Sequence, residues 1–135
     1  MGLMELRDAE ACLQAAWSRD FVREHGSADN FMARGLGVMI RDACRQPVAG
    51  ASAYVSWPAG LEVQLQTRED AQGLGLATAA AARLLRAAGE RGRAVCWDAA
   101  NIPSARIAAR LGFAPTAQYT AWALTWPCKK EQKEK

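Results

Sequence analysis

Two glycines directly precede the most alanine-rich part of the chain, in the stretch AQGLGLATAAAARLL at residues 71–85. Alanine is the best helix former and glycine one of the poorest, so this spacing predicts a helix over residues 76–89 that begins after the second glycine. Shortly before it, residues 61–67 (LEVQLQT) alternate apolar and polar side chains with the period of a strand. The segment therefore predicts a strand, a glycine loop and a helix in succession.

A glycine loop that opens a helix has two interpretations. The N-terminus of a helix exposes N–H groups without intrahelical acceptors and the positive end of the helix dipole, and both attract anions. Glycines in the loop let its backbone approach such an anion closely. The alternative is a plain turn in which glycine supplies only the geometry. Two familiar phosphate motifs are excluded, since no Lys follows the loop and Thr78 stands where a dinucleotide fingerprint has its third glycine.

The remaining segments predict one domain of the α/β (α+β) class with a mixed sheet. Helices are predicted for residues 6–23, for residues 29–34 between a Ser27 cap and Gly35, and for the segment from Asn101 to Gly112. Strands are predicted for residues 36–42, 48–57, 92–99 and 117–126. With 135 residues the chain has the size of one domain, which we place at residues 1–127, followed by a charged, flexible tail at 128–135.

Composition excludes several classes of protein. The four cysteines are scattered without a C-x-x-C pair, so neither a metal site nor a disulfide framework is expected, and a reducing cytoplasm fits best. No apolar run reaches the roughly 18 residues of a membrane span. Much of the net positive charge lies in the tail, and Lys and Arg are not concentrated in a nucleic-acid pattern elsewhere. We therefore expect a cytoplasmic protein that contacts neither membrane nor nucleic acid.

Two motifs carry a resemblance to a known family. The sequence Gln72–Ala77 (QGLGLA) fits the pattern Q/R-x-x-G-x-G/A, and WDAANIPSARIAARLGF places Asn101 at the start of a helix that LGF closes. These segments resemble motifs A and B of the GNAT (GCN5-related N-acetyltransferase) family, and in particular a subgroup with the sequence WDAAN. The resemblance covers residues 30–126 and leaves the first 25 residues outside. A GNAT-like mixed central sheet flanked by helices is thus expected, lacking the usual first strand.

The resemblance implies acetyl-CoA as co-substrate and a direct transfer of its acetyl group to a small-molecule or peptide amine. The backbone of Leu65, Gln66 and Thr67 is implied to line the acetyl-pantetheine arm, and Asn101 and Ser104 to contact the cofactor from the second helix. The pyrophosphate is implied to lie on the backbone N–H groups of the glycine loop and the first helical turn, namely Gln72, Gly73, Leu74, Gly75, Leu76, Ala77 and Thr78. Its 3′-phosphate could meet one of the arginines 68, 91, 93, 106 and 110.

The catalytic groups are less clear from the sequence. The tyrosine that serves as acid in many family members stands seven residues after the motif B Asn, and that position is Ala108 here. Tyr119, Tyr54 and Cys96 are alternatives by residue type. Glu62 is a candidate general base, although its alternation with Gln64 and Gln66 favours a solvated sheet face. The absence of the family tyrosine leaves open a catalytically silent acyl-CoA-binding module, or an oligomeric interaction subunit such as a homodimer.

Overall fold

A computed structural model of the chain describes residues 1–120, which form five strands and four α-helices. In chain order these are β1 (Gly2–Leu3), α1 (Leu6–Gln14), α2 (Ala28–Arg34), β2 (Gly37–Arg41), β3 (Pro47–Trp57), β4 (Gly60–Thr67), α3 (Leu76–Glu90), β5 (Ala94–Cys96) and α4 (Ile102–Arg110). Short 3₁₀ turns lie at Arg19–Phe21, Arg23–His25 and Glu69–Ala71.

The strands form a single mixed sheet in the order β1-β2-β3-β4-β5. The first four strands are antiparallel to their neighbours, whereas β4 and β5 are parallel. A parallel pair needs a long crossover connection, and α3 supplies it. The expected mixed sheet flanked by helices is therefore confirmed.

Helices cover both faces of the sheet. The alternation of side chains along β4 determines which residues point to each face. Leu61 and Val63 point to the face covered by α3, where they pack with Leu84 in one apolar cluster. Glu62 and Gln64 point to the opposite face by the period of two. On that face Phe21 and Met39 belong to a second cluster, formed beneath α1 and α2.

Helices α2 and α4 begin at the capping residues that the sequence predicts. The Ser27 hydroxyl accepts a hydrogen bond of 3.1 Å from the Asn30 N–H at the start of α2. The Asn101 side chain accepts one of 2.9 Å from the Ser104 N–H at the start of α4. Each bond satisfies one N–H of the first helical turn that has no intrahelical partner.

Three predictions about elements are wrong, and a fourth is wrong in the part that the structure describes. A strand does precede Leu36, because β1 pairs antiparallel with β2; at two residues it is too short to show an alternating pattern. The first helix ends at Gln14 rather than at residue 23, since Ala15 is extended and the following turns bury Phe21 and Val22. Strand β5 keeps only three residues of the predicted eight, from 94 to 96. For the last predicted strand, residues 117–120 are not a strand, and residues 121–126 lie outside the described residues, as does the tail.

Candidate active site

The parallel strands β4 and β5 separate part-way along β4. Their pairing joins Gly60 to Ala94 and ends at the pair Glu62–Cys96, whereas β4 continues to Thr67. A cleft of about 610 Å³ opens in this gap, between the second half of β4, the glycine loop and the start of α4. Such a gap exposes strand backbone that a ligand can contact.

The glycine loop needs glycine for its conformation. Gly73 and Gly75 have φ angles of +80° and +74°, in the left-handed region that other residues rarely adopt. A Cβ at either position would meet no atom within 4 Å, so packing does not require glycine there. The same open space lets a ligand reach the loop backbone. The two glycines at the start of the alanine-rich helix therefore shape a bend whose outer side is free.

The N-terminus of α3 opens into the cleft without a side-chain cap. Gly75 is the capping residue, and no side chain accepts from the first-turn N–H groups. The first bond of the helix runs from the Ala79 N–H to the Gly75 carbonyl, at 3.1 Å. The amides of Leu76, Ala77 and Thr78, all residues of the cleft wall, thus lack an intrahelical acceptor. The helix has no acidic residue in its first turn, so the dipole favours an anion at this point.

The opposite wall of the cleft is held by a short hydrogen-bond chain. The Trp97 indole N–H donates to the Ser104 hydroxyl at 3.0 Å, and the Trp97 ring lies 5.3 Å from that of Phe113. Ser104 thereby connects the segment after β5 to α4, while its own hydroxyl hydrogen remains able to donate. Asn101 uses its side-chain oxygen as the helix cap, which leaves its NH₂ group for a ligand.

Eleven of the twelve residues predicted to bind the cofactor line this one cleft, and they come from four segments of the chain: Leu65, Gln66, Thr67, Gln72, Gly73, Gly75, Leu76, Ala77, Thr78, Asn101 and Ser104. The exception is Leu74, which is 71% exposed. Its side chain lies at the surface of the bend between the two left-handed glycines.

Neither of the two predicted catalytic residues, Glu62 and Tyr119, lines the cleft. Glu62 lies at the last pair of the β4–β5 ladder. The Tyr119 hydroxyl donates a hydrogen bond to the Asp98 carboxylate, and Asp98 lines the cleft. This hydrogen bond, burial and the negative charges of Asp98 and Glu62 raise the pKa of Tyr119. The phenol is therefore protonated at neutral pH. Because 21 residues separate Asp98 from Tyr119, no local sequence pattern predicts their contact.

The other candidates by residue type differ in their surroundings. Ala108 is a buried methyl group at 8% exposure and offers no proton. Cys96 is exposed and pairs with Glu62 at the end of the ladder. Tyr54 occupies an irregular point of β3, and burial together with the carboxylates of Glu24, Asp20 and Glu62 raises its pKa against the lowering effect of Arg23.

Three of the five arginines considered for the 3′-phosphate are engaged elsewhere. Arg68 pairs with Asp70 at 2.6 Å, Arg91 donates to the Ala87 carbonyl at 3.0 Å, and Arg93 donates to the Gly60 carbonyl at 3.1 Å. Arg106 and Arg110 lie exposed on α4 and have no such partner within residues 1–120. These two remain candidates for the phosphate. Within the same part of the chain, no three His, Cys, Asp or Glu side chains are grouped to hold a metal ion, and no helix is long and apolar enough to span a membrane.

Comparison with known proteins defines the class. The model of the GNAT acetyltransferase family matches residues 1–122, so the chain belongs to that family. The match includes the first 25 residues, and the expectation that they lie outside the resemblance is wrong. The comparisons do not reach the subgroup with the WDAAN sequence, which stays a prediction.

Solved structures agree with the family and add a relative. A GCN5-related N-acetyltransferase-like protein from Streptococcus suis is 43% identical, with a TM-score of 0.79 over 82% of this chain and 44% of its own. The present chain thus spans less than half of that protein's length. A predicted acetyltransferase from Clostridium acetobutylicum, solved with acetyl-CoA, is 16% identical over 90% of this chain and 93% of its own, with a TM-score of 0.65. An acetyltransferase from Trypanosoma brucei is also 16% identical, over 90% of this chain and 96% of its own, with a TM-score of 0.65. These two show the fold alone. No protein with a curated description matches the chain.

Proposed function

We propose that this domain binds acetyl-CoA in the cleft between β4 and β5 and transfers the acetyl group directly to an amine. The observation that carries the proposal is the uncapped N-terminus of α3 facing a gap between two parallel strands. Family membership supports the same chemistry, and the C. acetobutylicum protein of the same fold was solved with acetyl-CoA.

The residues of the cleft suit the parts of this co-substrate. The first-turn amides of α3 and the backbone around Gly73 hold the diphosphate, because they offer donors and a positive dipole without a competing carboxylate. The backbone of residues 65–67, unpaired to β5, lines the pantetheine arm. The NH₂ group of Asn101 and the hydroxyl of Ser104 contact the arm from α4. When bound, acetyl-CoA supplies a thioester that a neutral amine can attack.

Proton transfer is assigned to Glu62, at the end of the ladder, and to Tyr119. Glu62 takes the proton from the attacking amine, and Tyr119 gives a proton to the departing thiolate. A tyrosine hydroxyl is protonated at neutral pH and can therefore serve as the acid. The phenol hydrogen is donated to Asp98 in the free domain, so its transfer requires the hydroxyl to exchange that bond for one to the thiolate sulfur, which leaves a phenolate that solvent reprotonates. Tyr119 thereby replaces the family tyrosine, whose position is the buried Ala108.

A second function is favoured by one observation. The methyl group of Ala108 removes the acid used by many family members, and a silent acyl-CoA-binding module needs no acid. The two functions differ in turnover.

Isothermal titration calorimetry with acetyl-CoA tests the binding that both functions require, and we expect saturable binding. Release of free CoA with a panel of polyamines, aminoglycosides and peptide N-termini then tests transfer. We expect release with at least one class of amine, and its reduction by Glu62→Gln. Binding without release for any acceptor supports the silent module, and the absence of binding rejects both functions.

A further inference from the structure

A second cavity, of about 310 Å³, lies on the side of the sheet that bears α1 and α2. It is lined by Glu24, His25, Arg34, Tyr54, Val55 and Ser56. These residues come from the 3₁₀ turn Arg23–His25, the last turn of α2 and the end of β3. The volume is at the lower end of ligand pockets, which span about 300–1,000 Å³, and suits a small molecule.

The cavity is built around an irregularity of the sheet. The pairing of β3 with β4 shifts register between Ala53 and Val55, so that Tyr54 is the extra residue of a bulge. The His25 side chain donates from Nε2 to the Ala53 carbonyl at 2.7 Å. The His25 ring also packs edge-on against Phe31 of α2, with 5.1 Å between ring centres. One histidine thus holds the 3₁₀ turn, α2 and the bulge together, and the cavity remains between them.

The cavity adjoins the proposed general base. Val55 is the register partner of Glu62, and side chains of directly paired residues lie on one face with Cβ atoms about 4.5–5.5 Å apart. The Glu62 carboxylate is also among the charges that raise the pKa of Tyr54, a second wall residue. An acceptor in the cavity therefore lies beside the carboxylate that would deprotonate it.

The cavity wall contains one cation without a partner. Glu24 is partly neutralised by Arg23, with 3.6 Å between carboxylate and guanidinium. Arg34 is exposed, and within residues 1–120 it makes no ion pair or side-chain hydrogen bond. A guanidinium can bind a carboxylate through two parallel hydrogen bonds.

We infer that this cavity binds a small amine that also carries a carboxylate, as a free amino acid does, with the carboxylate at Arg34 and the amine directed towards Glu62. The inference rests on the proposed function and adds the acceptor class to it. A carboxylate at Arg34 also distinguishes a free amino acid from the N-terminus of a peptide, whose own carboxylate is remote.

The test compares free L-amino acids with the corresponding amino-acid amides, which keep the amine and lose the carboxylate. Binding is measured by ligand-observed NMR in saturating CoA, and transfer by CoA release with acetyl-CoA. We expect at least one amino acid to bind and react more than 10-fold better than its amide. In Arg34→Gln this preference is expected to fall about 10-fold or more, with the acetyl-CoA affinity unchanged, whereas Arg34→Lys retains part of it. Arg86→Gln, on the exposed face of α3, serves as the matched control.

Each result separates the inference from the proposed function. Equal binding of acids and amides, or an acid preference that survives in Arg34→Gln, overturns the inference while acetyl-CoA binding stands. Binding of neither acids nor amides to the CoA-saturated protein overturns it as well. Loss of acetyl-CoA binding in the unmodified protein rejects the proposed function itself. Val55→Trp, an exposed position that tolerates bulk, is expected to exclude the amino acid by filling the cavity, which confirms the location independently of charge.

Discussion

Replacing Gly75 with glutamate is expected to weaken acetyl-CoA binding about 100-fold while leaving the fold intact. Gly75 begins α3 with φ +74° and ψ 13°, a conformation that costs other residues about 1–2 kcal/mol. A carboxylate at this position lies beside the proposed diphosphate. One unit charge at about 5 Å from another costs about 3 kcal/mol at an effective dielectric constant of 20. That energy corresponds to about two decades of affinity.

Two further variants separate conformational strain from charge. Gly75→Ala carries the strain alone, so we expect its free energy of unfolding to fall by about 1–2 kcal/mol with the dissociation constant changed only a few-fold. Gly89→Glu adds the same charge at the other end of α3, where a side chain meets open space and φ is not positive. It is expected to leave acetyl-CoA binding unchanged. Urea denaturation gives the stabilities, and calorimetry gives the dissociation constants.

Ionic strength provides a second check on the same variants. Because the loop is exposed, added salt screens the repulsion between the glutamate and the diphosphate. The ratio of dissociation constants between Gly75→Glu and the unmodified protein is expected to shrink between low and high salt. Wild-type affinity in Gly75→Glu at low salt would refute the reasoning, because the diphosphate could not then lie at the start of α3.

Three other predictions follow from single contacts. Asn101→Ala removes the cap on the Ser104 N–H and is expected to lower the free energy of unfolding by about 1 kcal/mol; Asn101→Asp, which keeps the cap, should retain it in the same urea titration. Tyr119→Phe is expected to lower kcat about 10-fold or more with little effect on acetyl-CoA affinity; unchanged kcat excludes Tyr119 as the acid. Burial raises the pKa of the Cys12 thiol to about 11 from 9.0, against a lowering by the Ser18 hydrogen bond. Native stability should therefore decline between about pH 9 and pH 11, because the unfolded thiol ionises first, and Cys12→Ala should weaken this decline.

The parts of the site that sequence predicts well depend on short-range geometry. The positive φ angles at Gly73 and Gly75 express a preference that glycine carries in any chain. The Asn101 cap acts over three residues, and the strand pattern of 61–67 is a period of two. Because each signal involves residues close in sequence, the strand, the glycine bend and the helix cap could be predicted from sequence, whereas their role towards acetyl-CoA is implied by the family resemblance and stays a proposal.

The parts that sequence missed depend on contacts between distant segments. Strand β1 has only two residues, and its existence is decided by pairing with β2. The Tyr119–Asp98 hydrogen bond joins residues 21 apart, and His25 meets the Ala53 carbonyl across 28. The bulge at Tyr54 leaves the Ala53 carbonyl free to accept this bond. The small residues that precede it in β3 give no sequence pattern from which a bulge could be predicted. Residue type alone makes Tyr119 a candidate, which stays a prediction, and its hydrogen bond to Asp98 required the structure.

The two halves of the site use different chemistry, and this difference predicts how they respond to substitution. Recognition of acetyl-CoA is assigned mainly to backbone groups of β4 and α3, which most side-chain changes leave in place. Recognition of the acceptor is assigned to the side chain of Arg34, which comes from an element far from the glycine loop in sequence. Since the cavity and the cofactor cleft share no lining residue, changes at Arg34 should alter the choice of amine without loss of acetyl-CoA binding. A domain built in this way can exchange acceptors while its cofactor cleft stays constant.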